Sequence, residues 1–506
     1  MSLVQKPKPG NLLSGLLTSP AGKYVLGIIF LLFSLLFAAG IATQGIPFLL
    51  ITFFVIVGLP AAYAVVAYPK LGIMIMLTLA YSISFFSSRL LGVDFPMGTL
   101  MDGVLMLMIF GFFLKQKYAN DWAPFRNGIS TVLLAWLFYN LLEVINPAAS
   151  SRLAWVYTVR TIAVITLSYF IFVYHIRDVG FIRKLMKLWI FFSLLGALYA
   201  YKQQYLGFAG FEEAWLASDP KFTSLYFIAG EWRKFSIYTD PMTFSYNMVA
   251  AAILCFCLAS GPIRTWKKAT LYFLSIIFII AMLFSGTRSA YVLIPVAFLF
   301  YSILKFDRRI LMLWMIVVPA FILALIMPAY NHTIYRFQTA FKPSQDASFN
   351  LRKENQKKIQ PFIQSHPIGG GLGATGVWGQ RFSPNSFLAN FPPDSGYVRV
   401  AVELGWVGLL LFCTLMFVIL KNGINNYFRI RDPELRTYCL ASVVIIFALN
   451  IGNYPQEALV QYPLNVYFYL AVAIISVTPR LDKLKHPEDE TINEKLSGGK
   501  HQPKSR

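Results

Sequence analysis

An all-α, polytopic bundle of membrane-spanning helices is the fold class this sequence predicts, on three observations. Of its 506 residues 57% are hydrophobic and 13% charged, and the mean hydropathy of +0.59 is too high for a water-soluble chain of this length. Apolar runs of roughly 16 to 24 residues recur from end to end, and about 20 helical residues cross ~30 Å of hydrocarbon. Polar residues gather instead in one long interval, 329–395. Lipid offers no partner to an exposed backbone N–H or C=O, so the apolar runs read as helices.

Taken in order, 1–23 reads as a cytoplasmic segment, because Lys6, Lys8 and Lys23 precede the first apolar run. That run, 24–43, has no small-residue cleavage site and reads as a first span. Further spans are expected near 48–68, 71–88, 99–114, 128–145, 155–174, 185–206, 242–260, 269–286, 289–304, 310–328, 396–420, 437–452 and 463–478, about 12–14 in all. The aromatic segment 207–241, with Trp215, Phe222, Tyr226 and Trp232, suits the lipid headgroup layer. The basic tail 479–506 has no apolar pattern and reads as disordered and cytoplasmic.

The net charge of +21 does not point to nucleic acid, because membrane proteins concentrate Lys and Arg in cytoplasmic loops. With the N-terminus inside, Lys115, Lys117, Arg177, Arg183, Lys184, Arg264, Lys267, Lys268, Arg429, Arg431 and Arg436 all fall on the cytoplasmic side. The 329–395 interval then forms a large extracytoplasmic loop. It nevertheless carries seven cations before Asp394: Arg336, Lys342, Arg352, Lys353, Lys357, Lys358 and Arg381. Function is one reason for so basic an outer loop. Cys255, Cys257, Cys413 and Cys439 sit inside apolar runs without zinc-site spacing.

Several residues could carry chemistry. Arg288, in LFSGTRSAYVL, is either an arginine snorkelling at a helix end or a fork for phosphate oxygens. Arg160 lies inside the 155–174 span, where a charge is costly unless paired or facing a cavity; Glu143 is its candidate structural partner. His366, in QSHPIGGGLGATG, lies among glycines that let a backbone approach a ligand. Gly371, Gly373 and Gly376 spell a dinucleotide fingerprint, but no hydrophobic strand precedes it. Asp394 and Glu403 bracket a helix start in PPDSGYVRVAVELG. Asp394 reads as an N-cap or as a general base for an incoming hydroxyl, and Glu403 as a helix acid paired with Arg399.

In their order and spacing, these motifs resemble the O-antigen ligase and polymerase superfamily, over roughly 230–411. The resemblance rests on Arg233, Asp240, Pro241 and Phe244, the S-G-T-R-S turn, the H-P-I-G-G-G-L-G loop, and D-S-G-Y followed by E-L-G. It implies a metal-independent, cofactor-free glycosyltransferase of the bacterial inner (cytoplasmic) membrane. The enzyme would move a glycan from undecaprenyl diphosphate to an acceptor hydroxyl, on a growing glycan or on lipid A–core. Arg288, Arg160, Arg233 and Arg352 are then the candidate diphosphate ligands and Asp394 and His366 the candidate catalytic residues. Glu403, Gly371, Gly373 and Tyr397 would support them. Ligases of this family usually have histidine then asparagine where this chain has Asp394 and Ser395, so the aspartate looks more like that of a capsular or exopolysaccharide polymerase. The rival from another class is a flippase or transporter of lipid-linked glycans, which would carry charges near the midplane of several spans. This chain carries few there.

Overall fold

The computed structural model describes residues 20–44, 54–85, 97–228, 230–328, 332–341 and 347–486. The start of the N-terminal segment, most of the tail, and parts of the spans expected at 48–68 and 71–88 lie outside them. The chain divides into two compact units, 1–67 and 68–506. The first contains the apolar helix Pro20–Gln44 and a π-helical turn, Phe54–Gly58, running into Leu59–Ala67.

Among its described residues the second unit is helical almost throughout, the one sheet there being a hairpin of two-residue strands, Phe227–Ile228 and Glu231–Trp232. Among the described residues eight helices are long and apolar enough to cross a membrane, or nine if the two helices flanking Tyr68 make one broken span. The chain is a multi-pass membrane protein. The twelve to fourteen spans expected refer to the whole sequence, part of which lies outside the described residues, and two further apolar helices are shorter. These are Arg288–Leu304 and Trp314–Ile326, the latter within the helix Arg308–Ile326. The apolar run at 396–420 is broken after Glu403, where Gly396–Glu403 gives way to the span Gly405–Arg429.

Pro241–Ala259, Pro433–Gly452 and Leu464–Lys485 form the centre of the bundle. They are buried over 83%, 72% and 83% of their apolar windows, against 22% for Thr265–Leu283 at the periphery. Small residues allow that crowding: Ala250, Ala251 and Ala252 are all buried, and small side chains let helix backbones approach where lipid supplies no hydrophobic drive. The last helix runs to Lys485, past the expected end of the span at 478.

The described part of the polar interval is largely helical and loop-packed. It contains the helices His332–Ala340, Ala347–Ser365 and Gly376–Phe382, followed by Gly396–Glu403. A small apolar core of Ile359, Ala374, Leu388, Phe391 and Val402 joins Ala347–Ser365 to Gly396–Glu403 and to the loops between them. The glycine loop docks backbone to backbone on the helix break, with Gly370 N donating to Val402 O at 2.9 Å, Gly371 N to Glu403 O at 3.0 Å and Val407 N to Pro367 O at 3.2 Å. Gly405 sits at φ +69, and a Cβ there would strike the Pro367 carbonyl, so only glycine closes the junction. Gly405→Ala should lower the melting temperature of the detergent-solubilised protein by several degrees; an unchanged melt would show that the junction tolerates a side chain.

Candidate active site

Four arginines from distant parts of the chain meet at one cavity of about 630 Å³. Arg233 comes from the segment after the hairpin, Arg288 from the first turn of its helix, and Arg336 and Arg352 from the polar interval. Tyr397 and the stretch from Asn450 through Gln456 complete the wall, and the described lining residues include no Asp or Glu.

Arg233 and Arg336 are held by neutral oxygens. Arg233 donates from Nε to Ser285 O at 2.8 Å and from Nη2 to Thr287 Oγ1 at 2.9 Å. Arg336, 9% exposed, donates to Ile228 O at 2.5 Å. Gly286 takes φ +62, and a Cβ on it would collide with the Arg336 guanidinium; the glycine of the S-G-T-R-S turn thus makes room for a cation from another segment. Burial lowers the pKa of Arg233; nearby Asp240 opposes that and the like charge of Arg336 adds to it. An anion in the cavity would relieve both burial and repulsion.

Asp394 lies beside this cavity rather than in its wall. It lines a small crevice with Asn355, Gln356 and Ser395, and Arg352 lines both spaces. Burial raises the Asp394 pKa above the ordinary carboxylate value, with Arg352 pulling the other way. Ser395 is the N-cap of Gly396–Glu403, its Oγ accepting from Val398 N at 3.4 Å, so capping does not account for Asp394. Tyr397 hydrogen-bonds through its hydroxyl to the side chain and the carbonyl of Asn450, fixing it in the cavity wall.

Glu403, 1% exposed, anchors the glycine loop. It accepts from Gly373 N at 3.0 Å, Thr375 Oγ1 at 2.5 Å and Arg399 Nε at 3.2 Å. Arg399 continues to Glu457 at 2.6 Å, one residue beyond Gln456 of the cavity wall. One buried triad therefore ties the glycine loop, the Asp394 helix and the cavity wall together.

Two candidates stand elsewhere. Arg160 pairs with Asp102 at 3.5 Å and does not line the cavity. Its expected partner Glu143 instead accepts from Asn146 at 2.7 Å. His366 also does not line it: its Nδ1 donates to Phe362 O at 3.0 Å, and its ring stacks on Phe362 with centroids 4.0 Å apart, so it closes the end of Ala347–Ser365. Among the described residues no group of three His, Cys, Asp or Glu side chains is placed to hold a metal ion. Arg336 was visible in sequence only as one of seven loop cations; what distinguishes it, the space above Gly286, is tertiary.

Residues 273–413 match the family model described as O-antigen ligase. The chain carries a domain of the O-antigen ligase and polymerase superfamily. No curated protein matches the chain. The family is one of glycosyl-transferring membrane enzymes of polysaccharide biosynthesis. The ligase-family segment contains Arg288, Arg336, Arg352, Asp394 and Tyr397, whereas Arg233 and the wall from Asn450 to Gln456 come from outside it.

The triad carries a stability prediction. Glu403→Ala strands Arg399 and the Gly373 and Thr375 donors in a buried site, and should cost about 3–5 kcal/mol, read as an early thermal transition in detergent. A loss no larger than that of an exposed Glu354→Ala control would contradict the anchoring role.

Proposed function

We propose that the chain transfers a glycan from a polyprenyl diphosphate to an acceptor hydroxyl on the extracytoplasmic side of a bacterial inner membrane. The observation that carries this is the cavity itself, with four arginines and no carboxylate among its described lining residues. An apolar groove of about 830 Å³ adjoins it, sharing Val292 and lined further by Tyr291, Phe298, Trp314, Phe321 and Phe337. A polyanion joined to a long hydrocarbon chain has this division of chemistry, with diphosphate among the guanidiniums and isoprenoid along the groove.

The reaction is a single displacement. Asp394 takes the proton of the acceptor hydroxyl as its oxygen bonds to the anomeric carbon, and the bond from that carbon to the diphosphate oxygen breaks. The electron pair leaves on the diphosphate. Arg233, Arg288, Arg336 and Arg352 stabilise the charge that accumulates there, an electrostatic contribution that is largest where water is excluded. Arg352, next to both spaces, also favours the charged form of the base. Ligase and polymerase differ only in the acceptor, and the aspartate in place of the usual ligase histidine favours a growing glycan as that acceptor.

With reconstituted protein and lipid-linked donor, Arg288→Ala and Arg336→Ala should each lower the transfer rate about 10²- to 10³-fold while the protein still accumulates. Arg160→Gln, remote from the cavity, should retain far more activity. Equal losses at Arg160 and Arg336 would overturn the assignment.

The pH profile gives a separate check. Transfer requires ionised Asp394, so the rate falls as pH drops through a pKa that burial has raised. Arg352 opposes that rise, so Arg352→Gln should move the acid limb of kcat/KM to higher pH. A limb unmoved, or moved to lower pH, would remove Asp394 from the role of base.

A further inference from the structure

Away from the arginine cavity, the short helix Gly376–Phe382 lies against the first turns of Arg152–Ile162. Its Trp378 stacks on Tyr157 with centroids 4.6 Å apart, Phe382 stacks on the same ring at 5.2 Å, and the Arg381 guanidinium lies over Trp378 and Phe382 at 5.9 and 5.6 Å. Gly379 is the inward residue, close to Ala374 and Ala389. The rest of the patch is aliphatic and exposed: Leu153 56%, Val156 49% and Val377 73%.

Depth along the spanning helix decides what covers this patch. Arg152–His175 is a candidate span of 24 residues, roughly 36 Å of helix against ~30 Å of hydrocarbon. Its ends therefore overhang the hydrocarbon by about 3 Å each. Tyr157 lies five residues in, about 7 Å along the axis, and so below the hydrocarbon boundary, where Leu153, one turn earlier, shares its side of the helix and exposed Val156 lies at the same depth. Trp378 and Phe382 stack on Tyr157 and are held at the same level. We infer that Gly376–Phe382 is embedded in the headgroup and upper acyl layer of the membrane, with Trp378, Phe382 and Val377 among the lipids and Arg381 at the phosphates.

Charge supports a phospholipid surface over a sugar. No Asp or Glu occurs between Glu354 and Asp394, nor anywhere in 152–162, so the patch offers cations and apolar surface but no carboxylate to accept from sugar hydroxyls. Tryptophan and arginine at an apolar margin are the residues that settle at a bilayer interface. The polar interval is then tethered to the bilayer at this helix as well as by its chain ends. This inference is independent of the glycosyl-transfer reading.

The test places a nitroxide on Val377→Cys in the full chain, in phospholipid nanodiscs, with Cys413→Ser removing the one exposed native cysteine. Collision of the label with oxygen and with a water-soluble nickel complex reports its depth. Reference labels are Val156→Cys on the span and Lys353→Cys on the exposed face of Ala347–Ser365. The expected oxygen-to-nickel ratio at 377 matches that at 156 and is several-fold above that at 353. A ratio matching 353 overturns the inference, and so does a water-accessible label shielded by soluble oligosaccharide, which would mark a sugar-binding face. Should Val377→Cys not accumulate, a label on Arg381→Cys, one turn further and also exposed, reads the same layer.

Discussion

Guanidinium groups repel, and in a half-buried space the repulsion is poorly screened, yet Arg233, Arg288, Arg336 and Arg352 line one cavity. Neutral groups hold Arg233 and Arg336 there. The Ser285 and Ile228 carbonyls and the Thr287 hydroxyl fix guanidinium nitrogens without neutralising them. A carboxylate in those positions would have satisfied the charges internally. Carbonyls and a hydroxyl leave these two charges unneutralised, and the remaining structure serves to keep the site assembled.

Assembly is done by the buried triad of Glu403, Arg399 and Glu457. The cavity takes its wall from the turn before Arg288, the polar interval and the connection after Gly452, segments far apart in sequence. Arg399 reaches two carboxylates, one holding the glycine loop and one beside the cavity wall, and Gly396 N donates to Asn453 O at 2.9 Å. Burial raises the Glu457 pKa, and the charge of Arg399 opposes that rise. Such an ion group contributes little net stability compared with an apolar core, but it is costly to break from one side. That favours one docked arrangement of loop, helix and wall.

Much of this was legible in the sequence because it depends on local pattern. Apolar length gave an all-helical membrane protein. Arg288 stood out because a tight turn put a cation between two apolar runs, and Asp394 and Glu403 because they bracket a helix start. Relations between segments were not legible. Arg233, Arg288 and Arg352 line the cavity as a set with Arg336 rather than Arg160, and the Arg336 guanidinium donates to a carbonyl 108 positions earlier. The partner of Arg160 is Asp102, on another helix, rather than Glu143 nearby in the chain. His366, in a glycine-rich loop that could have approached a ligand, turns back to the end of its own helix.

The account is tested most directly by a structure of the protein in a nanodisc with a non-transferable polyprenyl diphosphate analogue. It predicts both phosphorus atoms within hydrogen-bonding reach of the Arg288 and Arg336 guanidiniums, with the hydrocarbon chain leading past Val292 into the apolar groove. Diphosphate density beside Arg160 and Asp102, or outside the arginine cavity altogether, would contradict it.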